Sequence, residues 1–88
     1  MARLTFDAFE AMADSQWEDG IDQYRGGDPS RPFDGDAAAE GISEGLDARN
    51  YARQLYEEEG RLTGPEYQRA VALAFELACI FDGARPKG

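Results

Sequence analysis

Five carboxylates, Asp7, Glu10, Asp14, Glu18 and Asp22, follow one another at steps of three and four residues. A second set, Asp36, Glu40, Glu44 and Asp47, repeats the spacing. Side chains at these intervals share one face of a helix. A row of carboxylates can hold a hard cation, work as acid–base pairs, or stand in for phosphates opposite a basic protein groove.

The residues weigh against the first two. The stretch DGDAAAE places Asp34 and Asp36 two apart, as a calcium loop would, but the next ligand position is Ala38 and the Gly-x5-Glu tail is missing. Zinc wants His and Cys; the chain has no His and one Cys. No metal and no other cofactor is expected. Acid–base catalysis needs shielded groups with shifted pKa values, and these carboxylates lie on polar helix faces. Cys79, between Leu77, Ala78, Ile80 and Phe81, reads as a buried core thiol rather than a nucleophile. The chain is therefore read as non-enzymatic, with no catalytic residue.

The elements that carry the rows are legible. Phe6, Phe9, Ala13, Trp17, Ile21 and Tyr24 recur at helical steps and predict a helix over about 5–25, with the acidic row opposite the aromatic face. Thr5 or Asp7 caps its start, Glu10 standing three beyond Asp7, and Gly26-Gly27 ends it. Pro29 and Pro32 make a loop from which Phe33 is expected to plug the core. Asp36 caps a second helix, about 37–59, with Ala38, Ile42, Leu46, Ala52, Leu55 and Tyr56 on its apolar side and Asn50 marking a bend. Gly41 and Gly45, one turn apart, imply close approach of another backbone, with Gly20 of the first helix as the counterpart. Thr63 and Glu66 form a capping box, Leu62 and Tyr67 a hydrophobic staple, and Pro65 suits the first turn. A third helix follows over about 64–82. One of its faces is Tyr67, Ala70, Val71, Ala74, Ala78 and Phe81; another is Leu73, Leu77 and Ile80. Such a helix is central to the fold or lies at a dimer seam. No strand pattern appears, so the class is all-α: one three-helix domain spanning 1–88.

Bulk composition narrows the partner. The chain carries 18 acidic and 9 basic residues, a net charge of −9. That surface repels nucleic acid and anionic membrane and attracts basic proteins. An apolar content of 42% is too high for a disordered chain. No apolar run reaches the ~18 residues of a membrane span. A single Cys suits a reducing compartment, so the expected location is the cytoplasm, of a host cell if the chain is phage-encoded.

Two resemblances follow from particular features. EDGIDQYRGGDPSRPFDGDAAAEGISEGLDA, residues 18–48, resembles the ribosome modulation factor family through Gly20, Gly26, Pro32, Phe33, Gly41 and Gly45. That family is basic and binds ribosomal RNA; the resemblance implies a helix–turn–helix corner and a ribosome- or regulator-associated module, with contacts from Arg31, Phe33, Arg49 and Arg53. As a small, strongly acidic, His-free helical chain, the protein is also similar to phage counter-defence proteins, anti-CRISPR proteins and other DNA mimics among them. That similarity implies an inhibitor of a bacterial defence complex. It would bind a basic nucleic-acid-binding protein through Asp7, Glu10, Asp14, Glu18, Asp22, Asp36, Glu40 and Glu44, without touching nucleic acid or membrane. A homodimer through the third helix, as in a helical oligomerisation module, is a further expectation. The plain alternative for the acidic rows is a solvated helix face.

Overall fold

The computed structural model describes residues 3–31 and 35–86. It is all-α: three helices, α1 (Phe6–Tyr24), α2 (Ala37–Arg53) and α3 (Gly64–Gly83), with a π-helical turn, Gln54–Glu58, continuing α2. The chain divides into two compact units, one up to Gly35 and one from Asp36 onward.

In the first unit, Thr5 is the N-cap of α1, its hydroxyl accepting from the Ala8 N–H at 3.1 Å. Asp7 is therefore a first-turn carboxylate near the positive end of the helix dipole, not the cap. The helix stops where Gly26 and Gly27 adopt φ of 62° and 80°, and the Gly27 N–H donates to the Ile21 carbonyl at 3.0 Å. A side chain at those φ values would be strained, so the glycine pair sets the end point. Beyond it the Asp28 carboxylate accepts from the Ser30 hydroxyl at 2.7 Å and the Ser30 N–H at 3.0 Å, a local Asx turn. Pro32, Phe33 and Asp34 lie outside the described residues, and with them the expected Phe33 plug.

The second unit is an antiparallel pair of helices. Asp36 caps α2, its carboxylate accepting from the Ala39 N–H at 3.1 Å. The capping box of α3 is complete: the Thr63 N–H donates to Glu66 Oε1 at 2.9 Å and the Glu66 N–H donates to Thr63 Oγ1 at 3.2 Å. The contact between α2 and α3 is made by small residues. A methyl group at Gly41 would land on the Phe81 ring, and one at Gly45 would stand 3.0 Å from the Ala74 carbonyl and 3.4 Å from the Ala78 methyl. The close approach implied by the paired glycines is thus made by α3, where Gly20 had been expected. The buried apolar side chains are Ala52 and Ala74. Tyr67, Ala70, Val71, Ala78 and Phe81 are half-buried around them, which is the expected first face of α3.

Two expectations for α2 are corrected. Of its expected apolar side Ala52 is buried and Ala38, Ile42 and Leu55 are half-buried, alongside Gly41, Gly45 and Arg49, while Leu46 and Tyr56 are exposed. The helix passes through Asn50 and changes pitch one turn later, at Gln54. There the Glu59 N–H reaches the Gln54 carbonyl at 3.1 Å, and Gly60, at φ 63°, turns the chain toward α3. Tyr56 stacks on Tyr67 across this turn, centroids 4.6 Å apart and planes within 7°, a contact worth about 0.5–1.5 kcal/mol beyond area burial.

Gly41→Ala tests the packing. Helix propensity alone favours Ala by about 1 kcal/mol, but displacing Phe81 costs about 1–3 kcal/mol; the expected net effect in urea unfolding is destabilisation. Gly20→Ala, with only Tyr24 of its own helix near at 3.9 Å, is expected to stabilise by up to about 1 kcal/mol.

The capping box sets a pH dependence. Glu66 is held below the ordinary glutamate range by its hydrogen bond with the Thr63 backbone and then by that with the Thr63 side chain. Its folded-state pKa is depressed. The stabilisation is therefore complete at neutral pH and is lost as pH falls through the lowered folded value. Thr63→Ala is expected to remove about 1 kcal/mol at neutral pH, a drop of ~4–8 °C in Tm, and to flatten the acid limb of a Tm-against-pH curve.

Candidate functional site

The acidic row of α1 is fully formed. At about 100° per residue, Asp7, Glu10, Asp14, Glu18 and Asp22 fall within roughly a third of the helix circumference. Every one of them is exposed. From Asp7 to Asp22 the row is about 22 Å long at 1.5 Å per residue, one charge per ~5.5 Å. A single DNA strand carries one per ~3.4 Å, so the row reaches about 0.6 of a strand's linear charge density.

One geometric expectation is corrected. Phe6, Phe9, Trp17 and Tyr24 are centred only about 110° from the row on the same helical wheel. The aromatic face therefore flanks the carboxylates instead of opposing them. It is also open: Phe6 is 74% and Trp17 62% exposed, and α1 has no buried residue. Arg25, which closes the row, is directed elsewhere. Its guanidinium lies 5.0 Å from the Trp17 ring centroid and its Nη1 is 3.5 Å from the Pro29 carbonyl.

On α2 the carboxylates are also exposed, but they are not equivalent. Asp36 is engaged as the N-cap. Glu40, in the first turn, and Glu44, one turn on, stand free of the cap. The rows of α1 and α2 belong to different units, and each stands as a surface by itself.

The ion pairs among the described residues all lie elsewhere: Arg53 with Glu57 at 2.8 Å, Arg61 with Glu59 at 3.5 Å and Arg85 with Asp82 at 3.4 Å. None uses Asp7, Glu10, Asp14, Glu18, Asp22, Asp36, Glu40 or Glu44. Among the described residues the two rows are thus without ion pairs. Of the residues suited to a ribosome-type contact, Arg53 is tied to Glu57, Arg49 Nη1 donates to Asn50 Oδ1 at 3.0 Å, and Arg31 is exposed.

Cys79 is exposed, so its expected place in a core is corrected. In the second unit α2 packs on α3, and Cys79 lies at the open margin of that contact, beside Ile42, Phe75 and Asp82. The apolar run around it suggested burial because its composition, unlike its position, does not depend on how many helices surround it. Among the described residues no helix is long and apolar enough to cross a membrane.

Like charges at three- and four-residue steps oppose the helix that carries them by a few tenths of a kcal/mol per pair. Asp14→Asn and Glu18→Gln are each expected to raise helicity measured by circular dichroism at low ionic strength, and added salt should shrink the gain. Carboxylates that stabilised the fold would give the opposite sign. Comparison with protein-family models, curated proteins and solved structures finds no match to the chain.

Proposed function

We propose that the protein is a non-enzymatic inhibitor that occupies the basic nucleic-acid-binding groove of a bacterial defence complex, in the manner of an anti-CRISPR protein or other nucleic-acid mimic. Asp7, Glu10, Asp14, Glu18 and Asp22 take the place of backbone phosphates opposite Lys and Arg of the target. Glu40 and Glu44 form a second acidic surface on α2, and Asp36, already used as a cap, contributes charge more than contact. The observation that carries this reading is the single uninterrupted row on α1, exposed along its length and without an ion pair among the described residues.

The physical logic is one of cost and compensation. A helix surface evolved only to be wet gains from alternating charges, because i,i+4 pairs of opposite sign stabilise it. A row of one sign is disfavoured in the free protein and relieved when a cationic groove faces it. The same contact fixes the salt response. Binding weakens as salt rises, less steeply than for duplex DNA because the row has a lower charge density. Trp17, Phe6 and Phe9 flank the row and offer apolar contact to the groove wall.

The test is a pull-down from bacterial lysate with tagged protein, eluted by a salt gradient. A nucleic-acid-binding complex is expected at moderate salt, and added DNA should compete it off. The triple variant Asp14→Lys, Glu18→Lys, Asp22→Lys should fail to recover it. Recovery undiminished by the triple reversal would end the mimic reading. Recovery of ribosomes instead would move the assignment to a ribosome-associated module.

A further inference from the structure

Helix α3 leaves two apolar flanks uncovered within its own unit, and they differ in what surrounds them. On one, Leu73, Leu77 and Ile80 form a column with 53%, 41% and 65% exposure. Seven residues before Leu73 that column continues into Glu66, and helical spacing puts Glu44 of α2 on the same side. Its margins are mainly acidic, with Arg69, one turn before Leu73, the exception.

The other flank has relief. Phe75, 70% exposed, stands between two shallow depressions that run along the α2–α3 pair. Leu46, Arg49 and Val71 line the first and Ile42 and Cys79 line the second; Phe75 and Ala78 border both. Its margins carry both signs: Arg49 makes no ion pair among the described residues, and Arg85 sits beside Asp82. A protruding ring and an apolar dent on one face make that face self-complementary, because a two-fold axis returns each Phe75 to the other copy's depression. Two copies of a chain with net charge −9 repel each other in general. The flank bearing Arg49 and Arg85 is where that repulsion is least.

We propose that this face, Phe75 with the depressions beside it, is the contact for a second copy of the chain. Two helices ~25 Å long and ~10 Å apart offer roughly 500 Å² a side. The total of about 1,000 Å² is at the lower bound for a specific interface. The dimer is accordingly weak and concentration-dependent, and its contact is apolar, so high salt leaves it in place while loosening any contact made by the α1 row.

Light scattering on the full chain between about 1 µM and about 1 mM gives the test. The expected result is a monomer that becomes a dimer as concentration rises, with Cys79 labelled by a maleimide several-fold more slowly at the top of the range. Phe75→Asp should hold the chain monomeric throughout, with circular dichroism unchanged; should that variant lose helicity, Leu46→Asp replaces it. Leu73→Asp, on the opposite flank, should dimerise as the parent does. A parent that stays monomeric overturns the proposal. So does a dimer that survives Phe75→Asp, or one that Leu73→Asp dissolves.

Discussion

The close approach of α2 to α3 governs the second unit. Gly41 makes room for the Phe81 ring, and Gly45 lets the Ala74 carbonyl and Ala78 methyl come near the α2 backbone. Small residues at a helix crossing gain dispersion contacts but remove little apolar area from water. That is why, among the described residues, the buried apolar side chains are Ala52 and Ala74, while Leu46, Leu73, Phe75 and Ile80 of the same helices are exposed. A contact of this kind leans on its ends. Asp36 and the Thr63–Glu66 box satisfy N–H groups that would otherwise frustrate short helices. The Tyr56–Tyr67 stack secures the turn between them.

Charge is arranged with the same economy. Among the described residues the ion pairs lie between residues 53 and 85, each within a few residues of sequence. Exposed pairs of this sort contribute little, and their larger consequence is to leave the rows on α1 and early α2 alone. Asp28 shows the contrast. Its carboxylate, lowered by the Ser30 hydroxyl and then the Ser30 N–H, belongs to a turn and is tied to it. Apart from the Asp36 cap, the row residues make no such bond among the described residues. Carboxylates that a fold does not use are the ones available to a partner.

What could be read from the sequence divides along the range of the interaction. Thr63 with Glu66, Asp36, and the Gly26-Gly27 stop are local devices, and the helices they bound fall within a residue or two of the expected limits, the last turn of the second being π-helical. The α1 row was equally legible, since its formation requires only that α1 be a helix. The packed side of α2 was legible in part. Periodicity alone puts Leu46 and Tyr56 on the same side as Ala38, Ile42, Ala52 and Leu55, but the contact keeps the small Gly45 and Ala52 inside and leaves Leu46 and Tyr56 exposed. Cys79 was misplaced for a related reason: an apolar helix reads as buried until the number of its neighbours is known. The π turn at Gln54–Glu58 has no marker in residue type, because it depends on where the chain must turn toward α3.

The thin core and the uncompensated rows have a common consequence. A unit whose large apolar residues face outward would gain stability by covering them, and a helix whose carboxylates repel would gain by meeting cations. The two needs respond oppositely to the solvent. Salt screens the rows over ~8–10 Å at moderate ionic strength, and it leaves apolar burial intact or strengthens it. Ionic strength is therefore the variable that separates the two surfaces, so a contact on α1 and a contact on Phe75 can be assigned even where both occur in the same assembly.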